Sequence, residues 1–151
     1  MLLPIMENYL LNADNVVEND IIRQSVVILM GSLAKHLDSS DERFINIFGK
    51  LIAALNFPSA DVQRSVSDTF DPLIKAFDED KQKEICNSLL NVLLNSQVEA
   101  ERKGAAFGIA GIIKAVGITK LKTFKIHDVL IEAIQNKQNE KHRESKMRLI
   151  V

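Results

Sequence analysis

Apolar residues recur at helical spacing along almost the whole of this 151-residue chain, and nowhere do they alternate with period two for long enough to propose a strand. Phe44, Ile47, Phe48, Leu51, Ile52 and Leu55 form one such face, and Ile85, Leu89, Leu90, Val92 and Leu93 another. Three apolar runs end on asparagine: YLLN at Asn12, IAALN at Asn56 and VLLN at Asn95. A fourth, EAIQN, ends at Asn136. Asparagine suits a helix end because it tolerates the left-handed backbone found there. A short polar stretch and a second amphipathic run follow each of them. Asp41 before Glu42, and Ser59 before Asp61, offer side-chain oxygens to the unpaired amides of a helix start.

The pattern predicts four helix pairs. Their first members span residues 2–12, 42–56, 80–95 and 121–136, and their second members 19–37, 60–77, 98–116 and 139–151. The second members align at Arg23, Gln63, Arg102 and Arg143, at intervals of 40, 39 and 41 residues. Twelve positions further along stand Lys35, Lys75 and Lys114. From asparagine to aligned residue the step is seven in the last three copies and eleven in the first, so NADNVVEND carries an insertion of four. A period near 40 with two helices per unit is that of HEAT and armadillo arrays, and the lack of a third short helix favours HEAT. The expected fold is all-α: an α–α superhelix, a HEAT-repeat solenoid of about four helix pairs with the last incomplete. Its units run over 1–38, 39–78, 79–117 and 118–151 as one continuous array.

One run strains this reading. ERKGAAFGIAGIIKAVGI, residues 101–118, places Gly104, Gly108 and Gly111 inside a helix, where each costs roughly 1 kcal/mol relative to alanine. A membrane span would explain small residues, but the longest uncharged apolar stretch, Gly104 to Ile113, is ten residues against the ~20 a span needs. A phosphate loop lacks its GxxxxGK[ST] pattern and a preceding strand. Close helix packing remains: Gly104, Gly108 and Gly111, with Ala105 and Ala115, let backbones approach where larger side chains cannot.

Composition adds boundaries. With 46% hydrophobic and 26% charged residues, this is ordinary globular material. A single cysteine, Cys86, cannot form an internal disulfide, and the start MLLPIMENYLLNADN shows no signal-peptide pattern; a reducing, cytoplasmic setting is expected. Net charge is −1 but polarised, since residues 101–151 hold eleven Lys/Arg against five Asp/Glu. That basic end could meet an anionic partner, ribosomal RNA or an acidic protein, through Arg102, Lys103, Lys120, Lys122, Lys125, Lys141 and Arg143. Ordinary solvated surface explains the same charges. Little aromatic interleaving, only Phe107 and Phe124, argues against base stacking.

Chemistry is sparse. His36, His127 and His142 lie apart without metal-ligand spacing, and Cys86 sits on an apolar face with only Lys83 as a basic neighbour. The carboxylates Asp78 and Asp80, or Asp38 and Asp41, read as helix caps in inter-helix loops rather than as acid–base pairs. No catalytic residue, metal, cofactor or small-molecule substrate is expected.

RQSVVILMGSLAKHLD (23–38), KLIAAL followed by PSADVQRSV (50–66), and ERKGAAFGIAGIIKAVGI (101–118) resemble, residue by residue, the very large HEAT-repeat translational activators of the general amino-acid control pathway. The resemblance runs through Asn136. It implies a fragment of the family's central HEAT array, a non-catalytic scaffold that associates with ribosomes. It further implies a role in activating the kinase of translation initiation factor two alpha during starvation and ribosome stalling. The kinase itself would be contacted by regions nearer the family's C-terminus. After NEKHRES this chain departs from the family's small-residue helix and reads Lys146, Met147, Arg148, Leu149, Ile150, Val151. The alternative function is a generic HEAT adaptor for a protein cargo, of phosphatase-scaffold or transport-receptor type.

Overall fold

The computed structural model describes residues 3–12 and 19–148, the side chains of 3, 7, 10–12 and 138–148 excepted. It contains α1 (Leu3–Asn12), α2 (Asp20–Ala34), α3 (Glu42–Ala54), α4 (Ala60–Lys75), α5 (Glu79–Asn95), α6 (Glu99–Val116), α7 (Lys120–Thr123) and α8 (Ile126–Arg148), with no strand among the described residues. Two compact units divide the chain, Met1–Ile118 and Thr119–Val151. The four-residue insertion lies at 13–18, outside the described residues.

In the first unit the helices stack as pairs: α3 packs on α4 and α5 on α6, while α4 lies between α2 and α6. The helix starts have local causes. Asp41, Ser59 and Asp78 take extended backbone, and their side chains accept from the amides of Arg43, Val62 and Lys81. Val98 precedes α6 without a side-chain cap; Ser96 serves instead, its Oγ accepting from the Val98 amide (3.1 Å) and donating to Glu101 (2.5 Å). Gly117, at φ 90°, ends α6 in a conformation costly to any residue with a Cβ.

A phenylalanine cluster anchors the middle of this unit. Phe77 meets Phe44 and Phe48 edge-on at centroid distances of 5.3 and 5.0 Å, and Phe48 reaches Phe70 at 5.7 Å. Around them Val27, Met30, Leu51, Leu55, Val62, Val66, Leu73 and Ile74 are fully buried. Of the two apolar faces, Phe44, Ile47, Phe48, Leu51, Leu55, Ile85, Leu89 and Leu90 are buried, whereas Ile52, Val92 and Leu93 are half-buried.

The second unit differs from the pattern-based expectation. Instead of helices at 121–136 and 139–151, it has the short α7 and then α8 unbroken through Asn136 to Arg148. The sequence QNKQNEKHRE contains no glycine or proline, and Gln, Lys, Glu and Arg all favour helix, so its two asparagines do not stop it. The break falls earlier, at Lys125, whose φ of 55° turns the chain between α7 and α8.

Candidate functional surface

The aligned polar residues of the second helices do structural work. Gln63 is buried, and its Nε2 donates to the carbonyls of Leu55 (2.9 Å), Phe57 (2.8 Å) and Ala100 (2.9 Å). It thereby satisfies carbonyls left open after α3 and touches the first turn of α6. Arg23 is buried too, with Nη1 3.2 Å from Asp20 Oδ1 and its guanidinium carbon 4.7 Å from the Phe57 ring centroid. Arg102 donates from Nη1 to the Ser96 carbonyl (2.9 Å). At Arg23, Gln63 and Arg102 the repeat register marks residues that hold a second helix to the turn before it or after it. Gln82, off this register, does the same job from α5 for the carbonyls of Ile74 (3.0 Å) and Phe77 (2.9 Å). Spacing alone could not single it out.

Glycines set how closely α6 approaches the end of α3, α4 and α5. A Cβ on Gly104 would be driven into the Leu55 carbonyl oxygen. At Gly111 it would stand 2.7 Å from the Ser67 carbonyl oxygen, and at Gly108 2.8 Å from methyls of Leu55 and Leu89. Lys114 crosses from α6 to Asp68 on α4, 3.1 Å away.

The basic residues separate into three groups. Arg102 is half-buried and committed to Ser96, while Lys103 is exposed but paired with Glu99 at 2.7 Å. That partner holds the Glu99 carboxyl below its usual range. Lys120, Lys122 and Lys125 share the second unit, on α7 and the turn that follows; Lys122 and Lys125 are exposed. Lys125 supplies the carbonyl that accepts the Val129 amide, so its charge stands at the positive end of α8, with Asp128 in the first turn as partial compensation. Lys141 and Arg143 lie on α8, and their side chains are outside the described residues.

Two shallow grooves open on the first unit. One, about 320 Å³, runs between α2 and α4, lined by Ile28, Ser32, Lys35, Ser65, Asp68 and Pro72 among others; the second, about 400 Å³, borders Pro58, Gln63, Glu99 and Lys103. In the first groove the Ser65 and Thr69 hydroxyls donate to the Asp61 (2.9 Å) and Val66 (2.7 Å) carbonyls of their own helix. Burial pushes the Cys86 thiol up to about 11, so it stays protonated near neutrality. Among the described residues no three His, Cys, Asp or Glu side chains converge as a metal site, and no helix is long and apolar enough to cross a membrane.

Residues 1–35 match the family of HEAT repeats described as "Stalled ribosome sensor GCN1". Over 143 residues, 95% of its length, the chain is 50% identical to the human "Stalled ribosome sensor GCN1". It is 41% identical over 145 residues to the Saccharomyces cerevisiae "eIF-2-alpha kinase activator GCN1", and 41% identical over 145 residues to the Arabidopsis thaliana "Protein ILITYHIA". The chain covers only 5% of the length of each. No solved structure is significantly similar.

Proposed function

The chain belongs to the GCN1 family of HEAT-repeat proteins, and from that premise we propose that it is a non-catalytic scaffold segment of a cytoplasmic, ribosome-associated activator of the kinase that phosphorylates eIF-2-alpha. The observation that carries this reading is 50% identity, across 95% of the chain, to a protein named as a stalled-ribosome sensor. The kinase-activator role rests on the name of the yeast relative. A scaffold acts by position: stacked helices hold one partner within reach of another, and no proton or group is transferred.

Within the chain, the ribosome-facing residues are Lys120, Lys122 and Lys125, extended along α8 by Lys141 and Arg143. Clustered cations at a helix N-terminus attract phosphate, and the affinity falls with salt. Arg102 and Lys103 contribute less than the exposed Lys122 and Lys125, because Ser96 and Glu99 already occupy them. Co-sedimentation of the chain with purified ribosomes across a salt series tests this. Binding is expected to weaken with salt and to be lost in Lys120→Glu/Lys122→Glu/Lys125→Glu, while Lys103→Glu retains it. Salt-insensitive binding, or none at low salt, refutes the assignment.

A further inference from the structure

We infer that the helix stack carries a hinge: it bends at the seam between α2 and α4 and holds rigid at the seam between α4 and α6. Both seams join second helices at corresponding positions of the 40-residue period, so they compare like with like.

Where α6 packs on the preceding pair, two glycines bring backbone against backbone, Gly104 at the end of α3 and Gly111 on α4, while Gly108 faces side-chain methyls. Gly104 abuts the Leu55 carbonyl and Gly111 the Ser67 carbonyl, so any sliding or tilting meets steep repulsion from atoms that cannot rotate away. The Gln63 amide bonds Leu55 and Phe57 on one side and Ala100 on the other, and Lys114 reaches Asp68 across the gap. Tilting would break these bonds together.

The α2–α4 seam is built otherwise. Its single glycine, Gly31, faces Thr69, whose Cβ and Cγ2 would each lie 2.7 Å from an added Cβ, and no carbonyl comes as close there. Beside that contact runs the 320 Å³ groove, whose walls have no opposing atoms to lose when they separate. Pro72 lines the groove from inside α4, and without an amide it cannot bond the Asp68 carbonyl one turn back. Proline at such a point permits helix bending. Arg23 over the Phe57 ring ties the two pairs at one end, leaving a pivot there and an opening groove beyond. This is a hinge combined with shear of packed helices.

Lys35, Lys75 and Lys114 are equivalent and exposed, one on each of the three pairs. Cysteines at 35 and 75, or at 75 and 114, carry spin labels for dipolar distance measurement on the full chain; Cys86, buried and protonated, stays unlabelled. The 35–75 distribution is expected to be roughly twofold broader than the 75–114 distribution. Ser32→Leu, which fills the groove, should narrow the first and leave the second unchanged, with circular dichroism checking that the helices persist. Equal widths, a broader 75–114 distribution, or a 35–75 width indifferent to Ser32→Leu each overturns the hinge.

Discussion

Helices α4 and α6 occupy equivalent places in successive pairs yet bury themselves by opposite means. α4 keeps large side chains on its inner face, Val62, Val66, Phe70, Leu73 and Ile74, and a charged outer face with Asp61, Arg64 and Lys75. α6 buries Gly104, Ala105, Gly108, Gly111 and Ala115 beside only two large residues, Ile109 and Ile112. The first strategy gains from apolar area removed from water; the second gains from proximity, accepting poor helix propensity for dense contact. Proximity is the less forgiving. An apolar face can repack around an altered side chain, whereas a glycine against a carbonyl has no smaller substitute and no room for a larger one.

The sharpest way to break this contrast is Gly104→Ala. Overpacking against backbone costs up to about 3 kcal/mol, and the ~1 kcal/mol of recovered helix propensity offsets only part, for a net loss of about 2 kcal/mol in urea unfolding. Gly108→Ala should lose less, because Leu55 and Leu89 methyls can rotate away. A neutral Gly104→Ala would mean that α6 is held by its isoleucines alone.

Next in size is Gln63→Leu, which keeps volume and deletes three hydrogen bonds. Leaving carbonyls unsatisfied should cost about 2 kcal/mol. Because the Leu55 carbonyl both receives the Gln63 amide and abuts Gly104, the two substitutions share one structural element. Their double mutant should fall short of the sum, and full additivity would show that the seam is not cooperative.

Gly49 is the control on the same scale. It lies inside α3, and a Cβ there would meet nothing within 4 Å. Gly49→Ala should stabilise by about 0.5–1 kcal/mol, read as a raised urea midpoint. The sign change between Gly104 and Gly49 depends on the neighbour, since propensity is the same at both.

Helices and their pairing were legible in the chain because apolar periodicity and caps are local properties; Asp41, Ser59 and Asp78 show it directly. The 40-residue alignment found Arg23, Gln63 and Arg102 by register but not what they do, since burial depends on the turn that each one closes. Asn136 misled because the same residue that ends α5 at Asn95 sits comfortably inside α8; the difference lies in Ser96, which opens an extended cap after one and has no counterpart after the other. Counting charges likewise grouped Arg102 with Lys122, and only the Ser96 carbonyl separates them.

The smallest expected effect concerns the cap of α3. Asp41 accepts from the Arg43 amide (2.8 Å) and pairs with its guanidinium at 3.1 and 2.7 Å, and these bonds hold the carboxyl below the usual aspartate range. A lowered folded-state pKa means that the unfolded chain binds the proton more readily. The contribution is therefore complete above the unfolded value near ~4 and is lost as pH falls through the folded one. Asp41→Asn preserves an acceptor for the Arg43 amide and removes the titration. The stability difference between wild type and Asp41→Asn should be constant from neutrality down to about pH 5 and then shrink with acid. Asp38, held low by the Ser40 hydroxyl and amide, titrates in both proteins, but the Asp41 charge raises it, so it cancels from the difference only in part. A difference that stays flat into acid would mean the pair with Arg43 does not persist in solution, and that α3 begins on its apolar face alone.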